Sequence, residues 1–232
     1  MMFDTINRFN KSSRVIIIST VCLAAVFSSA PVYAQTKSAC LSGSSNLLVN
    51  GSFEESANSR YNNAFDMISD LGRENSGVYF LDAHPQIDFP AWFTTGGISL
   101  QQGGISKGGE IEVGQSGFLG INAYHGRVFV EMDGNHHEQI VMVEPNKTFE
   151  WELAHRGRQG VDTIAFSVKY DDGFKEIAQV STGKSGWQVH RGSFSPPKNE
   201  TKLHVRITPL VASNGDIDSS NFLDDVKLCY KK

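Results

Sequence analysis

The chain predicts an all-β fold, an antiparallel sandwich with one short helix in an N-terminal connection. Two observations carry it. Apolar and polar residues alternate with a period of two through most of the sequence, and turn-forming residues interrupt that alternation at short intervals. A cysteine pair placed near the two ends of the exported part adds that the ends meet.

The first 34 residues read as an address. Arg8, Lys11 and Arg14 form a basic stretch, Val15 to Phe27 is apolar, and Val32-Tyr33-Ala34 presents small residues at the positions signal peptidase prefers. Cleavage is expected after Ala34. The apolar run of 13 residues spans about 20 Å as a helix, against a bilayer core of roughly 30 Å. Nothing later is long and apolar enough to span a membrane as a helix. The mature chain, residues 35–232, is then expected to be a single domain outside the cytoplasm, whether periplasmic, on the cell surface or extracellular.

Charge narrows the partners. The whole chain has 21 basic and 25 acidic residues; removing Asp4, Arg8, Lys11 and Arg14 leaves a net charge of −6. A nucleic-acid partner requires a basic face to neutralise phosphates, so none is expected. Simple electrostatic docking on anionic lipid is disfavoured for the same reason. Cys22 leaves with the leader, so Cys40 and Cys229 remain, and an even pair in an exported chain reads as a disulfide, with buried free thiols as the other possibility.

Strand-like alternation begins at Leu47–Phe53 and resumes at Val128–Met132, Glu138–Val143 and Thr148–His155. It continues at Asp162–Tyr170, Phe174–Ser181, Trp187–Phe194, Lys202–Leu210 and Asn221–Tyr230. Asp133-Gly134-Asn135, Glu144-Pro145-Asn146, Asp171-Asp172-Gly173 and Ser195-Pro196-Pro197 supply turns between them. Within Thr148–His155, Phe149, Trp151, Leu153 and His155 share one side of the strand. Tyr61, Ala64, Phe65, Ile68 and Leu71 instead recur at helical spacing, which predicts the short helix. Between Gly96 and Gly120 there are nine glycines, read as loops around one or two short strands.

Four blocks carry a resemblance to a known family. The opening NLLVNGSFEE (Asn46–Glu55) resembles the first strand of galactose-binding-like jelly-roll modules, and FLDDVKL (Phe222–Leu228) resembles their last. Between them, GEIEVGQSGFLGINAYHGRVFVEMDG and WELAHRGRQGVDTIAFSV are similar to blocks of bacterial surface-protein domains of that class. The class includes many carbohydrate-binding modules, so the resemblance implies a jelly roll and a non-catalytic binding role, with a glycan as ligand. The alternative is a structural or adhesive envelope or matrix protein that recognises another protein. Oligomeric state is open.

Candidate sites follow. Many modules of this class carry a structural calcium near both termini, and Glu54, Asp224 and Asp225 lie on the segments that the cysteines would bring together. Three carboxylates offer hard oxygen ligands for Ca²⁺, and the same acids also suit solvated strand ends. Trp92 and Phe93 lie in one loop, and Phe118, Tyr124 and His125 in the glycine-rich one. Such rings stack on sugar faces when exposed, though the family position matching Trp92 usually packs under the sheet. Glu131 and Asp133 face the same way on one strand and are placed as hydrogen-bond partners of a ligand hydroxyl or a neighbouring loop. Same-strand acids cannot flank a glycosidic bond from opposite sides, so a hydrolase is not expected. Arg158 and Asp162 straddle a glycine-containing turn and are expected to pair, the other reading being His155 and the arginines as a binding rim for an acidic sugar. His136 and His137 point to opposite faces, without a nearby third ligand for zinc, and are read as turn residues. No Gly-x-Ser-x-Gly elbow, phosphate loop or dinucleotide fingerprint occurs.

Overall fold

The protein is described from a computed structural model, which covers Cys40 and residues 43–55, 78–82, 91–95, 110–132, 134–170 and 173–232. The chain divides into two units, 1–35 and 36–232, and the description concerns the second. The expected leader, the helix over Tyr61–Leu71 and Asp133 lie outside the described residues.

Among the described residues eleven strands form two antiparallel sheets. They are β1 (Val78–Asp82), β2 (Phe93–Thr95), β3 (Glu110–Gln115), β4 (Val128–Glu131), β5 (His136–Met142) and β6 (Phe149–Arg156). The remainder are β7 (Asp162–Tyr170), β8 (Gly173–Thr182), β9 (Gln188–Phe194), β10 (Lys202–Val211) and β11 (Phe222–Tyr230). One sheet has the order β1-β3-β4-β11-β6-β9 and the other β2-β5-β10-β7-β8. The result is a jelly-roll sandwich. Strands β5 to β11 lie within two residues of the alternating segments read from the sequence.

The core is what the alternation buries. Trp151 and Leu153 of β6, Ile164, Phe166 and Val168 of β7, and Leu203, Val205 and Ile207 of β10 fill the space between the sheets. Trp151 stacks on Phe166 with ring centroids 4.9 Å apart, which joins the two layers.

The opening segment differs from expectation. Leu47–Phe53 is a series of turns rather than a strand, because Asn50 and Phe53 adopt left-handed backbone conformations, φ 50° and 60°. It still lies along β11: Leu47 N–H donates to Leu228 O at 2.7 Å, and Val226 N–H to Gly51 O at 2.8 Å. Leu48 and Phe53 enter the core. Cys40 and Cys229 form the disulfide, their Cα atoms 6.3 Å apart across 189 residues of sequence.

Candidate functional site

Glu54, Asp224 and Asp225 come together at the tied ends, but not as one set. Glu54 Oε1 accepts the N–H groups of Arg127 (2.7 Å) and Val128 (2.8 Å). Asp224 Oδ2 accepts from His125 N–H at 2.9 Å, and its Oδ1 from Asp225 N–H at 2.7 Å. Asp224 is fully buried, and burial, reinforced by the charges of Asp225 and Glu54, pushes its pKa well above the usual carboxylate range. Burial raises Glu54 as well, against the lowering effect of its two backbone hydrogen bonds.

Asp225 is engaged elsewhere. It sits at a bulge in the β11–β6 ladder with φ 47°, and its Oδ2 pairs with Lys227 Nζ at 2.8 Å. Lys227 also contacts Glu152 at 2.7 Å, and Glu152 contacts Arg191. This chain of alternating charge, buried except at Arg191, borders a cavity of about 230 Å³ beside Cys40 and Lys231. Among the described residues no group of three His, Cys, Asp or Glu side chains is placed to hold a metal ion. Glu54 and Asp224 fit a cation's requirement for hard oxygen; Asp225, committed to Lys227, does not.

The loop aromatics separate into two kinds. Trp92 is fully buried, packs 5.4 Å from Phe53 and donates its indole N–H to Asn50 O, so it is a core residue and not a ligand-binding ring. Phe118 packs with Ile121, Phe129 and Phe222 on the outer side of the six-stranded sheet. Tyr124 is exposed, 6.5 Å from Trp187, whose indole N–H donates to Asn122 O and ties the β8–β9 turn to this loop. His125 contributes its backbone N–H to Asp224.

Glu131 is also turned away from ligand. It is buried, and Arg158 Nη1 donates to its Oε1 at 2.5 Å. The expected Arg158–Asp162 ion pair is replaced by a different lock. Asp162 accepts the backbone N–H groups of Arg158 (2.8 Å) and Ser213 (2.7 Å). Burial alone would raise the Asp162 pKa, but these donors outweigh it and the pKa is lowered. His136 and His137 open β5 rather than forming a turn, and His137 is fully buried.

A site that the sequence reading passed over lies on the outer face of the five-stranded sheet. The registers set Phe93, Glu138, Arg206, Ser167 and Glu176 in one cross-strand row, and Ile140, His204, Lys169 and Phe174 in the next. The His204 ring lies between two phenyl rings, 5.5 Å from Phe93 and 4.9 Å from Phe174. Arg206 Cζ is 3.6 Å from the Phe174 centroid, a cation–π stack, and its Nε donates to Glu138 Oε1 at 2.6 Å. Glu138 Oε2 is 2.5 Å from His204 Nε2. One buried carboxylate thus holds a guanidinium and an imidazole, with a phenyl ring on each side. Burial lowers the pKa of His204, and Arg206 and Lys169 lower it further against the opposing effect of Glu138. Ile140 and Met142 are exposed beside this strip, 50% and 72%. Of these rings the sequence singled out only Phe93, expected in a loop, yet it opens β2; the others lie on β8 and β10, and only the pairing register brings them together.

No family model and no curated protein matches the chain. Solved structures do. The chain is similar to the CBM22-2 xylan-binding domain from Paenibacillus barcinonensis Xyn10C, at 13% identity over 66% of this chain and 99% of that one, TM-score 0.44. It is similar to the CBM22-1 xylan-binding domain of the same Xyn10C, at 15% identity over 61% and 86%, TM-score 0.43. TmCBM61 in complex with β-1,4-galactotriose matches at 16% identity over 81% and 100%, TM-score 0.36. Likenesses this distant carry no argument about ligand; the chain is a two-sheet antiparallel sandwich similar to carbohydrate-binding modules.

Proposed function

We propose that the protein is an exported, non-catalytic glycan-binding module that receives its ligand on the outer face of the five-stranded sheet. The observation that supports this is the Phe93–His204–Phe174 strip with Arg206 and Glu138 fixed beside it. Pyranose rings present flat C–H faces to aromatic rings, and the partly exposed Arg206 beside the strip can meet their hydroxyls. The Cys40–Cys229 bridge agrees with an oxidising compartment reached through the leader. Calcium belongs to this reading as a structural ion, with Glu54 and Asp224 as the protein carboxylates that would hold it.

A glycan array probed with the purified protein tests the function. Phe93→Ala and Phe174→Ala should abolish binding with the melting temperature preserved. The exposed Ile140 and Met142 favour a second reading, an adhesive face that recognises a protein. Silence across the array together with specific capture of an envelope or matrix protein would establish that reading instead.

A further inference from the structure

We propose that the polysaccharide taken on this face is acidic, a uronate polymer whose carboxylate is received by Arg206. The inference rests on the glycan-binding reading above and narrows it to a ligand class.

Arg206 is built as a receiver. Its Nε is spent on Glu138 and its plane lies on Phe174, so the guanidinium is pinned from two directions. Among the described residues its two terminal NH₂ groups make no hydrogen bond and stay available. A guanidinium fixed in this way offers two parallel N–H groups at the spacing of the two oxygens of a carboxylate. A neutral sugar, which has only hydroxyls, leaves that match unused.

The surroundings have the same sign. Lys169 stands opposite His204 in the register, and Lys202 opposite Met142, both exposed on this face. Among the described residues the face carries Arg206, Lys169 and Lys202 against Glu138 and Glu176, one net positive charge on a chain of net charge −4. Two imidazoles sense this field. Burial is the main cause of the lowered His136 and His204 pKa values, and the Arg206 charge lowers both further. An acidic peptide would offer the same carboxylate, but the Phe93, His204 and Phe174 rings beside Arg206 supply apolar contacts for successive sugar rings.

The test compares polygalacturonate and alginate with the same polymers after reduction of their carboxyl groups, by affinity electrophoresis of the whole protein without added divalent ions. The acidic forms should bind at least about tenfold tighter, with affinity falling as salt rises. Arg206→Lys keeps the charge and loses the fork, and should remove most of that preference. Lys202→Gln, at an exposed position, should reduce the salt dependence without touching the fold. Equal affinity for the reduced polymers overturns the acidic ligand and leaves the glycan reading standing, as does binding confined to neutral glycans. Binding of polyglutamate with no polysaccharide bound at all overturns both.

Discussion

The Arg158 guanidinium donates to the Glu131 carboxylate at 2.5 Å, tying the β6–β7 turn to the end of β4. Glu131 is 1% exposed, so its charge depends on the groups bonded to it. Arg158→Met should therefore destabilise the fold by roughly 3 kcal/mol, the cost of removing one partner of a buried pair. Adding Glu131→Gln should recover part of that loss, because the charge that Arg158 balanced is gone. Equilibrium urea unfolding of the three variants measures both effects, and additive losses would show that the two residues do not depend on one another.

Acid should weaken the fold through its buried imidazoles. His137 and His155 are fully buried, and desolvation pulls both pKa values from 6.5 to about 4. His155 lies between the Thr182 hydroxyl and the Asn221 amide oxygen, each at 3.0 Å. Asn221 Nδ2 is turned toward Ser220 Oγ and Val211 O, so its oxygen accepts and His155 Nε2 carries the proton. A base depressed in the folded state is protonated first in the unfolded one. Stability is then fully present above pH 6.5, falls between 6.5 and about 4, and levels off below, by up to about 3 kcal/mol per imidazole. Melting scans across that interval measure the slope. His155→Gln should lower the melting temperature at pH 7 and flatten the slope, whereas an unchanged slope would remove His155 from the account.

Those imidazoles illustrate what the sequence could and could not reveal. His155 falls on the inward side of β6 by simple alternation, and the bounds of β7 were read to the residue. Val78–Asp82 was missed because Val-Tyr-Phe-Leu is a continuous apolar run with no period to read. The opening Asn-Gly-Ser-Phe was read as strand, yet what it encodes is close approach: a Cβ on Gly51 would collide with the Val226 carbonyl. Trp92 and Glu131 have residue types that bind sugars, but type does not report exposure, and both are buried. The ring strip joins β2, β8 and β10, and its members become neighbours only through β5 and β7. No local pattern records such a register.

The Cys40–Cys229 bridge closes almost the whole domain, its ends separated by 189 positions in sequence. On the chain-entropy account a loop of this length contributes about 5 kcal/mol by restricting the unfolded chain. Reduction, or the Cys40→Ser, Cys229→Ser double substitution, should lower the melting temperature by about 10 °C. Non-reducing peptide mapping checks the connectivity, and free thiols in protein purified under oxidising conditions would contradict it.

Calcium removal probes the carboxylates at the same tied ends. Asp224 and Glu54 influence one another's charge, Asp224 is buried, and burial raises the pKa of each. A raised carboxyl pKa means that the folded state prefers the proton, so stability is lost as pH climbs from the unfolded value through the folded one. A bound divalent cation offsets that loss at neutral pH and adds about 2.7 kcal/mol at a hundredfold excess over Kd. Chelation should accordingly lower the melting temperature by several degrees, with recovery on adding Ca²⁺ and little response to Mg²⁺. Asp224→Asn should abolish the response, as should Glu54→Gln, while Asp225→Asn should retain it, because Asp225 serves Lys227 instead. That contrast separates a site built on Glu54 and Asp224 from one that needs all three acids. A melting curve unmoved by chelator in a metal-stripped sample would leave both residues as acceptors for the backbone N–H groups of His125, Arg127, Val128 and Asp225 and nothing more.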